Sequence, residues 1–335
     1  MKASLISKLI VGICILCLIL GFFTADNDKP YFEKTKNNKN FVTAANKVAV
    51  IELNGTIASS SENSLFSKEA NATNLLKSLK LAREDKDING IIIKINSPGG
   101  TVAMSQNIYN EIIKTRKTKP VISVMDDVAA SGGYYIAAAT DRIIAQEGTL
   151  TGSIGVIFSF MDYHDLIINK LNVKQIVIKS GKYKDIGSGA RKMLPEEKEL
   201  IQDIVNDSYN QFLEAITKGR IQREDKDYSV AKTNLTEENL KTYADGRVFT
   251  GKKAKTLGFV DENGDMNTAE TIMTTMIQEK FNNKLPVKLV NYNKKSSINE
   301  YFSSLAEYSS QGSIKITEII PTSMLLNRKP LYLWE

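Results

Sequence analysis

A single serine in a run of small residues is the clearest candidate for chemistry in this sequence. The stretch D-D-V-A-A-S-G-G-Y-Y-I-A-A-A, residues 126–139, places Ser131 between an alanine pair and a glycine pair. It follows an apolar segment, residues 121–125, that predicts a strand, and α/β sheets bind ligands beyond such strand ends. A nucleophile needs the space that small neighbours leave, but a helix-capping serine among packing residues has the same pattern. The serine alone therefore leaves both interpretations open.

A serine nucleophile also needs hydrogen-bond donors for the oxyanion that forms when it attacks a carbonyl. A helix that begins near Gly132 would direct its free N–H groups towards Ser131. A second glycine turn, N-S-P-G-G-T at residues 96–101, follows the predicted strand 91–95. We expect this turn to bring another backbone N–H to the same place.

The base that would activate the serine is less obvious, because the chain contains one histidine. His164 lies in D-Y-H-D, between Asp162 and Asp165, and this pattern is typical of the exposed start of a helix. The remaining option is a lysine, which must lose its proton through burial or neighbouring charge. Composition cannot choose among the 44 Lys and Arg residues.

The elements around these residues alternate between strands and helices. Strands are predicted at 48–57, 91–95, 121–125, 143–146, 148–157, 173–179 and 285–292, the fifth entered through a glycine-rich turn. A first helix is predicted because Leu75, Leu76, Leu79 and Ala82 would form one apolar face. Further helices are predicted at 102–117, 162–171, 195–220 and 298–308. Residues 246–261 predict a turn, a helix and a short strand. This order predicts an α/β fold, a parallel sheet built from βαβ units.

The N-terminus predicts a membrane anchor. Residues 9–25 are uncharged and apolar, with Lys2 and Lys8 before them and Asp26 and Asp28 after them. The positive-inside rule places residues 1–8 in the cytoplasm and the rest of the chain outside it. A cleaved signal peptide is the alternative, and the bulky Phe23 fits its cleavage site poorly.

The rest of the chain divides into three predicted parts. A polar tether at 26–46 leads to a catalytic domain at 47–285, and a C-terminal extension follows at 286–335.

Composition excludes several other classes. The net charge of +6 comes from scattered lysines, and no aromatic-plus-basic motif accompanies it, so we expect no nucleic-acid partner. The sequence has neither zinc-ligand spacing nor a phosphate-loop motif. We therefore expect no metal and no nucleotide cofactor.

Five motifs in a fixed order carry a family resemblance. They are N-S-P-G-G-T (96–101), A-A-S-G-G-Y-Y-I-A (129–137), T-G-S-I-G-V (151–156), S-G-K-Y-K-D (180–185) and G-R-V-F-T-G-K-K-A-K-T-L-G-F-V-D (246–261). Together they resemble the signal peptide peptidase A family of membrane-anchored serine peptidases, in its short, single-half form. The resemblance runs from about residue 48 to residue 261 and implies a fold related to the Clp protease and crotonase folds.

The resemblance implies a role for each matched residue. Ser131 matches the nucleophile and Lys184, which is followed by Asp185, matches the general-base lysine. Ser153 matches a serine that helps to orient the lysine, although a turn or cap residue would have the same pattern. Gly100 and Gly132 match the backbone donors of the oxyanion hole. Lys182, two positions before Lys184, is the competing assignment for the base.

The resemblance also implies partners. Short members of the family assemble the dyad between adjacent protomers of a homo-oligomer and cleave remnant signal peptides near the membrane. We therefore expect signal-peptide-like apolar peptides as substrates and the membrane as the site of action.

Three alternatives stay open. One is a crotonase-like protein that binds an acyl thioester, and another is a membrane-anchored scaffold with a dead site. The third is a peptidase that acts on other membrane proteins, since the motifs specify the chemistry and leave the substrate undetermined.

Overall fold

The computed structural model describes residues 45–59, 72–223 and 233–293. Within those ranges the strands, β1 to β8 in chain order, are Asn46–Asn54, Ile88–Ser97, Val121–Ala130, Arg142–Ala145, Leu150–Gly152, Val248–Thr250, Glu262–Asn263 and Val287–Asn291. The α-helices, α1 to α7, are Ala72–Glu84, Val102–Arg116, Gly132–Ala137, Pro195–Ile216, Glu237–Tyr243, Gly251–Leu257 and Met266–Phe281. Two π-helical turns, Leu166–Lys170 and Thr217–Ile221, complete the described elements.

The strands form one sheet in the order β6-β5-β3-β2-β1-β8, and β4 joins β3 to β7 beside this path. Every pairing is parallel except that of β5 with β6. Helices α1 and α2 connect β1 to β2 and β2 to β3, which confirms the predicted α/β fold of βαβ units. The antiparallel edge was not predicted, because a three-residue strand carries too few side chains to show its direction.

Strand β3 changes partner along its length, and this change creates the candidate site. Its first half, Ile122 to Met125, pairs with β4, and its last residues, Val128 to Ala130, pair with β5. The sequence predicted that the strand ends at the acidic pair Asp126–Asp127, but it continues to Ala130. The acidic pair lies where β3 changes from pairing with β4 to pairing with β5. The hydrogen-bonded pairing of β3 therefore continues after Asp127.

Two apolar clusters cover the two faces of the sheet. In β2, Ile91, Ile93 and Ile95 lie in one cluster and Ile92 lies in the other, as the alternation of strand side chains requires. The first cluster includes the buried residues of α1 and α2, and the second includes those of α7. This burial on both faces explains the nearly continuous run of isoleucines.

Two strand predictions between 148 and 179 are wrong in part or in whole. Only Leu150–Gly152 of the predicted strand 148–157 pairs with neighbours, and residues 173–179 form no strand. The β-branched residues of 173–179 suggested a strand, but Ile176 and Ile178 are 87% and 97% exposed. Residues 157–184 are mostly exposed, and we call this stretch the arm.

The predictions for the two ends of the chain fall outside the described residues. This holds for the anchor at 9–25, for nearly all of the tether at 26–46 and for the helix at 298–308. Among the helices that the structure does describe, none combines the length and the apolar character required to cross a bilayer.

Candidate active site

Ser131 occupies a strained turn between β3 and α3. Its backbone angles are φ 52° and ψ −117°, and positive φ is uncommon for a residue with a side chain. The neighbouring strand holds this conformation, because the Ser131 N–H donates to the Gly152 carbonyl at 2.9 Å. The serine side chain makes no capping hydrogen bond with the helix that follows. The helix-cap interpretation of Ser131 is therefore wrong, and a sharp strand-to-helix turn that presents a hydroxyl is typical of a nucleophile.

The glycines around Ser131 allow two loops to approach closely. A Cβ at Gly99, where φ is +109°, would lie 2.8 Å from the Ser131 Cβ. A Cβ at Gly132 would lie 2.6 Å from the Ser105 Oγ and 3.2 Å from the Gly100 nitrogen. The predicted meeting of the 96–101 turn with the Ser131 segment is therefore confirmed.

The N–H groups of Gly100 and Gly132 are available for a ligand. Gly132 is the first residue of α3, so its N–H has no acceptor within the helix. The turn that carries Gly100 is fixed on both sides, since Ile57 donates to the Gly99 carbonyl and Thr101 donates to the Ile57 carbonyl, at 2.8 and 2.7 Å. Neither glycine N–H donates to an acceptor in the described part of the chain. Two free donors close to a serine hydroxyl are the groups that an oxyanion hole requires.

Ser153 directly follows β5, as Ser131 directly follows β3. The register of the two strands runs from Val128 opposite Leu150 to Ala130 opposite Gly152, and Gly152, the residue before Ser153, accepts the Ser131 N–H. Ser153 also has a positive φ, 49°, and its N–H donates to the Arg247 carbonyl at 2.8 Å. The half-buried Ser153 is therefore a second serine held in a strained conformation at the same edge.

Lys184 is not joined to Ser131 within one chain. It lies on the exposed arm, where its N–H donates to the Gly181 carbonyl, and no hydrogen bond or ion pair of its ammonium occurs among the described residues. The structure thus brings together Ser131, Ser153, Gly100 and Gly132, and leaves the predicted base apart from them.

The two competing bases are held in other contacts. The Lys182 ammonium lies 2.5 Å from the Glu196 carboxylate, and this hydrogen bond raises the pKa of Lys182, which favours its charged form. The Nδ1 of His164 lies 2.9 Å from the Ala190 carbonyl oxygen, and no hydrogen bond joins this ring to Ser131 in the described ranges. Both observations favour Lys184 among the three candidates.

Several residues at or near the site were not predicted. Ser105 of α2 is buried beneath Gly132, and its hydroxyl donates to the Thr101 carbonyl at 3.0 Å. The arm and α4 line an open cleft of about 370 Å³, with Phe158, Phe160, Met161, Ile201 and Val205 among the lining residues. Arg191 lines the same cleft. A serine in a helix and scattered apolar residues carry no motif, so the sequence had no signal for either feature.

No metal site occurs within the described ranges, where no group of three or more histidine, cysteine, aspartate or glutamate side chains could hold an ion.

Comparison with known proteins identifies the class. The profile of peptidase family S49 matches residues 113–280, just over half of the chain, and that of the Clp protease family matches residues 44–146. An Enterococcus faecium protein assigned as signal peptide peptidase SppA is 39% identical over 65% of this chain and 60% of its own length. A protein assigned as a protease in Synechocystis sp. is 39% identical over 69% of this chain and 74% of its own length.

More distant proteins extend the comparison. The chloroplast serine protease SPPA of Arabidopsis thaliana is 35% identical over 60% of this chain, which spans 28% of that protein. A solved structure of a membrane-bound stomatin-specific protease with a substrate peptide is 18% identical, with a TM-score of 0.45, over 78% of this chain and 98% of its own.

The profile match and the identity to the cyanobacterial relative define an SppA-type peptidase. The chain belongs to peptidase family S49.

Proposed function

We propose that this protein is a membrane-anchored serine endopeptidase that uses Ser131 as nucleophile and Lys184 as general base. The observation that carries the proposal is the strained Ser131 turn, which faces the available N–H groups of Gly100 and Gly132. Membership of family S49 supports it independently. A scaffold with a dead site would have no need to hold a serine at φ 52° beside two free donors.

The proposed mechanism follows from the positions of these groups. Neutral Lys184 accepts the Ser131 proton while the hydroxyl oxygen attacks the peptide carbonyl carbon. The Gly100 and Gly132 N–H groups hold the oxyanion of the tetrahedral intermediate. The Lys184 ammonium then gives its proton to the leaving amine, and water hydrolyses the acyl ester on Ser131. Ser153 is placed to orient the lysine as it approaches.

We further propose that the dyad forms between two protomers of a homo-oligomer. Within one chain, Lys184 lies on the exposed arm and forms no hydrogen bond with Ser131. The same arm exposes large apolar side chains, with Ile157 at 82% and Met161 at 77% in addition to Ile176 and Ile178. A soluble domain rarely leaves such a patch open, and a second copy would cover it while delivering Lys184 to a neighbouring Ser131.

The proposed substrates are apolar peptides at the extracytoplasmic side of the membrane, and remnant signal peptides are the leading candidates. The predicted anchor and the names of the SppA relatives support this choice. Cleavage of other membrane proteins is the second candidate, supported by the same predicted anchor. No metal or nucleotide takes part in the proposed chemistry.

The full-length protein in detergent provides the test. We would measure cleavage of a fluorogenic signal-peptide-like substrate by the wild type, Ser131→Ala, Lys184→Ala and the control Lys182→Ala, with the oligomer size measured alongside. We expect the first two variants to be inactive at wild-type size and Lys182→Ala to be active. Mixing the two inactive variants should restore partial activity, because some interfaces then join an intact Ser131 to an intact Lys184.

Other outcomes contradict parts of the proposal. An active Lys184→Ala variant would show that the base is another residue. An inactive mixture that exchanges subunits would place the dyad within one chain. An assembled wild type that cleaves no peptide would favour the scaffold or the acyl-binding protein.

A further inference from the structure

The loop that carries Lys184 is held by a charged cluster centred on Asp185, its next residue. The Arg191 guanidinium donates to both Asp185 oxygens, from Nε to Oδ2 at 3.0 Å and from an Nη to Oδ1 at 2.7 Å. The Lys179 ammonium donates to Oδ1 at 2.5 Å from the other side of the loop. These bonds fix the residue adjacent to the proposed base.

Arg191 links this loop to the start of helix α4. Its two Nη groups donate to the two oxygens of Glu197, at 2.7 and 2.5 Å. One planar guanidinium thereby binds two carboxylates in the bidentate geometry that arginine makes and lysine cannot. The Glu197 carboxylate also accepts the Leu194 N–H at 2.9 Å, and its side chain is fully buried.

Helix α4 is anchored at its other end. Phe212, Ala215 and Ile216 lie in the main apolar core, with 6% or less of their surface exposed. Residues 182–184, by contrast, are exposed. The charged cluster therefore links the Lys184 loop, through Arg191 and Glu197, to a helix that packs in the apolar core.

The charges of the cluster stay ionised over the range in which a peptidase works. Hydrogen bonds from Arg191 and Lys179 hold the pKa of Asp185 well below its usual range. The bond from Arg191 likewise lowers the pKa of Glu197 to about 2.

The surrounding charged groups have other contacts. They are Lys182 with Glu196 at 2.5 Å, Lys192 with Asp165 at 4.0 Å, His164 beside the Ala190 carbonyl, and Asp162 and Lys198 along the neighbouring cleft.

We propose that Arg191 is a positioning residue for Lys184, and that Glu197 acts with it. The inference rests on the proposed function. Arg191 sets the direction of the loop, and together with Lys179 it occupies both oxygens of Asp185. Asp185 is thereby kept from pairing with the adjacent Lys184 ammonium, and no such ion pair occurs among the described residues. This separation matters because a free carboxylate beside a lysine favours the charged form, which cannot accept a proton.

The test compares kinetics and pH profiles of full-length variants in detergent. Arg191→Met removes both bidentate pairs and leaves Asp185 held by Lys179 alone, so that one of its oxygens is free. We expect kcat to fall by about 10- to 100-fold with little change in KM, since small displacements of a catalytic group have effects of that size. The pH at which kcat/KM rises should increase, because the freed carboxylate beside Lys184 favours the charged ammonium, which cannot accept a proton.

Conservative variants separate charge from geometry. Arg191→Lys keeps a cation beside Asp185 but loses the bidentate geometry of the guanidinium. The pH dependence of kcat/KM should therefore return towards that of the wild type, while kcat stays low. Glu197→Gln weakens the link from the guanidinium to α4 but leaves Arg191 bound to Asp185. We therefore expect kcat to fall and the pH dependence of kcat/KM to stay unchanged. Its matched control, Glu196→Gln, loses the same charge from the same helical turn without touching Arg191, and the ion pair with Lys182 that it weakens is exposed and contributes little. We expect this control to have the wild-type kcat.

The failures can be told apart. If Lys184→Ala keeps its activity, the proposed function is wrong at the base. If Lys184→Ala is inactive while Arg191→Met assembles and has the wild-type kcat and the wild-type pH dependence of kcat/KM, only the positioning role of Arg191 is wrong. Should Arg191→Met fail to assemble, Glu197→Gln decides the question, because a kcat equal to that of Glu196→Gln would overturn the proposal.

Discussion

Replacing Gly132 with alanine tests whether the space in front of the Gly100 N–H holds the oxyanion. Gly132 does not have a positive φ, so the backbone accepts alanine without conformational strain. The new methyl group would lie 3.2 Å from the Gly100 nitrogen and 2.6 Å from the Ser105 Oγ. The first contact obstructs the proposed donor, and the second is too short unless Ser105 shifts.

The two contacts predict effects of different kinds. Loss of one oxyanion donor typically reduces kcat by about 10²- to 10³-fold, or about 2.7–4 kcal/mol of transition-state stabilisation. The contact with Ser105 is overpacking, which destabilises the fold by about 1–3 kcal/mol. Gly132→Ala should therefore lose both activity and stability.

A second substitution separates these effects. Ser105→Ala removes the crowding oxygen at the expense of one hydrogen bond, to the Thr101 carbonyl, worth about 1 kcal/mol. The double variant Ser105→Ala/Gly132→Ala should regain stability in urea unfolding but keep the low kcat in peptide cleavage. If the double variant has the kcat of Ser105→Ala alone, the oxyanion does not lie in front of Gly100, and our assignment of the oxyanion hole is wrong.

Three further predictions concern the stability of the fold. Tyr134→Phe leaves the buried Phe259 carbonyl without its 3.0 Å donor, so urea unfolding should show a loss of about 1–2 kcal/mol. Arg220→Met leaves the buried Asp261 carboxylate without its nearest cation, with Arg142 4.0 Å away and the Ile143 N–H as its remaining partners, and should lose about 3 kcal/mol. The exposed control Lys218→Met should stay within about 0.5 kcal/mol. The pKa of Glu197 is lowered from 4.5 to about 2, so its contribution to stability is complete above pH 4.5 and is lost as the pH falls towards 2. Glu197→Gln should remove this part of the acid destabilisation. If the free energy of unfolding falls equally steeply for wild type and variant between pH 4.5 and 2, the lowered pKa of Glu197 is contradicted.

The sequence predicted the central sheet because its strands are buried on both faces. Runs such as 91–95 and 121–125 carry their burial in their own composition, and the helices between them have a clear apolar face. The same local signal failed for the arm. Residues 173–179 have the β-branched composition of a strand, but pairing requires a partner strand, and the described part of the chain supplies none.

The candidate site divides in the same way. The sequence by itself determined which residues are chemically suited, because Ser131, Gly100 and Gly132 lie in motifs of small residues whose spacing is local. Only the tertiary structure decided that the side chain of Ser131 does not cap the helix, and that the end of β3 pairs with β5, the strand that Ser153 follows. It also decided that Lys182 is bound to Glu196, and that Arg191 joins Asp185 to Glu197. These contacts depend on distances between segments that are remote along the chain or lack any sequence motif, and a pattern of residue types does not contain such distances.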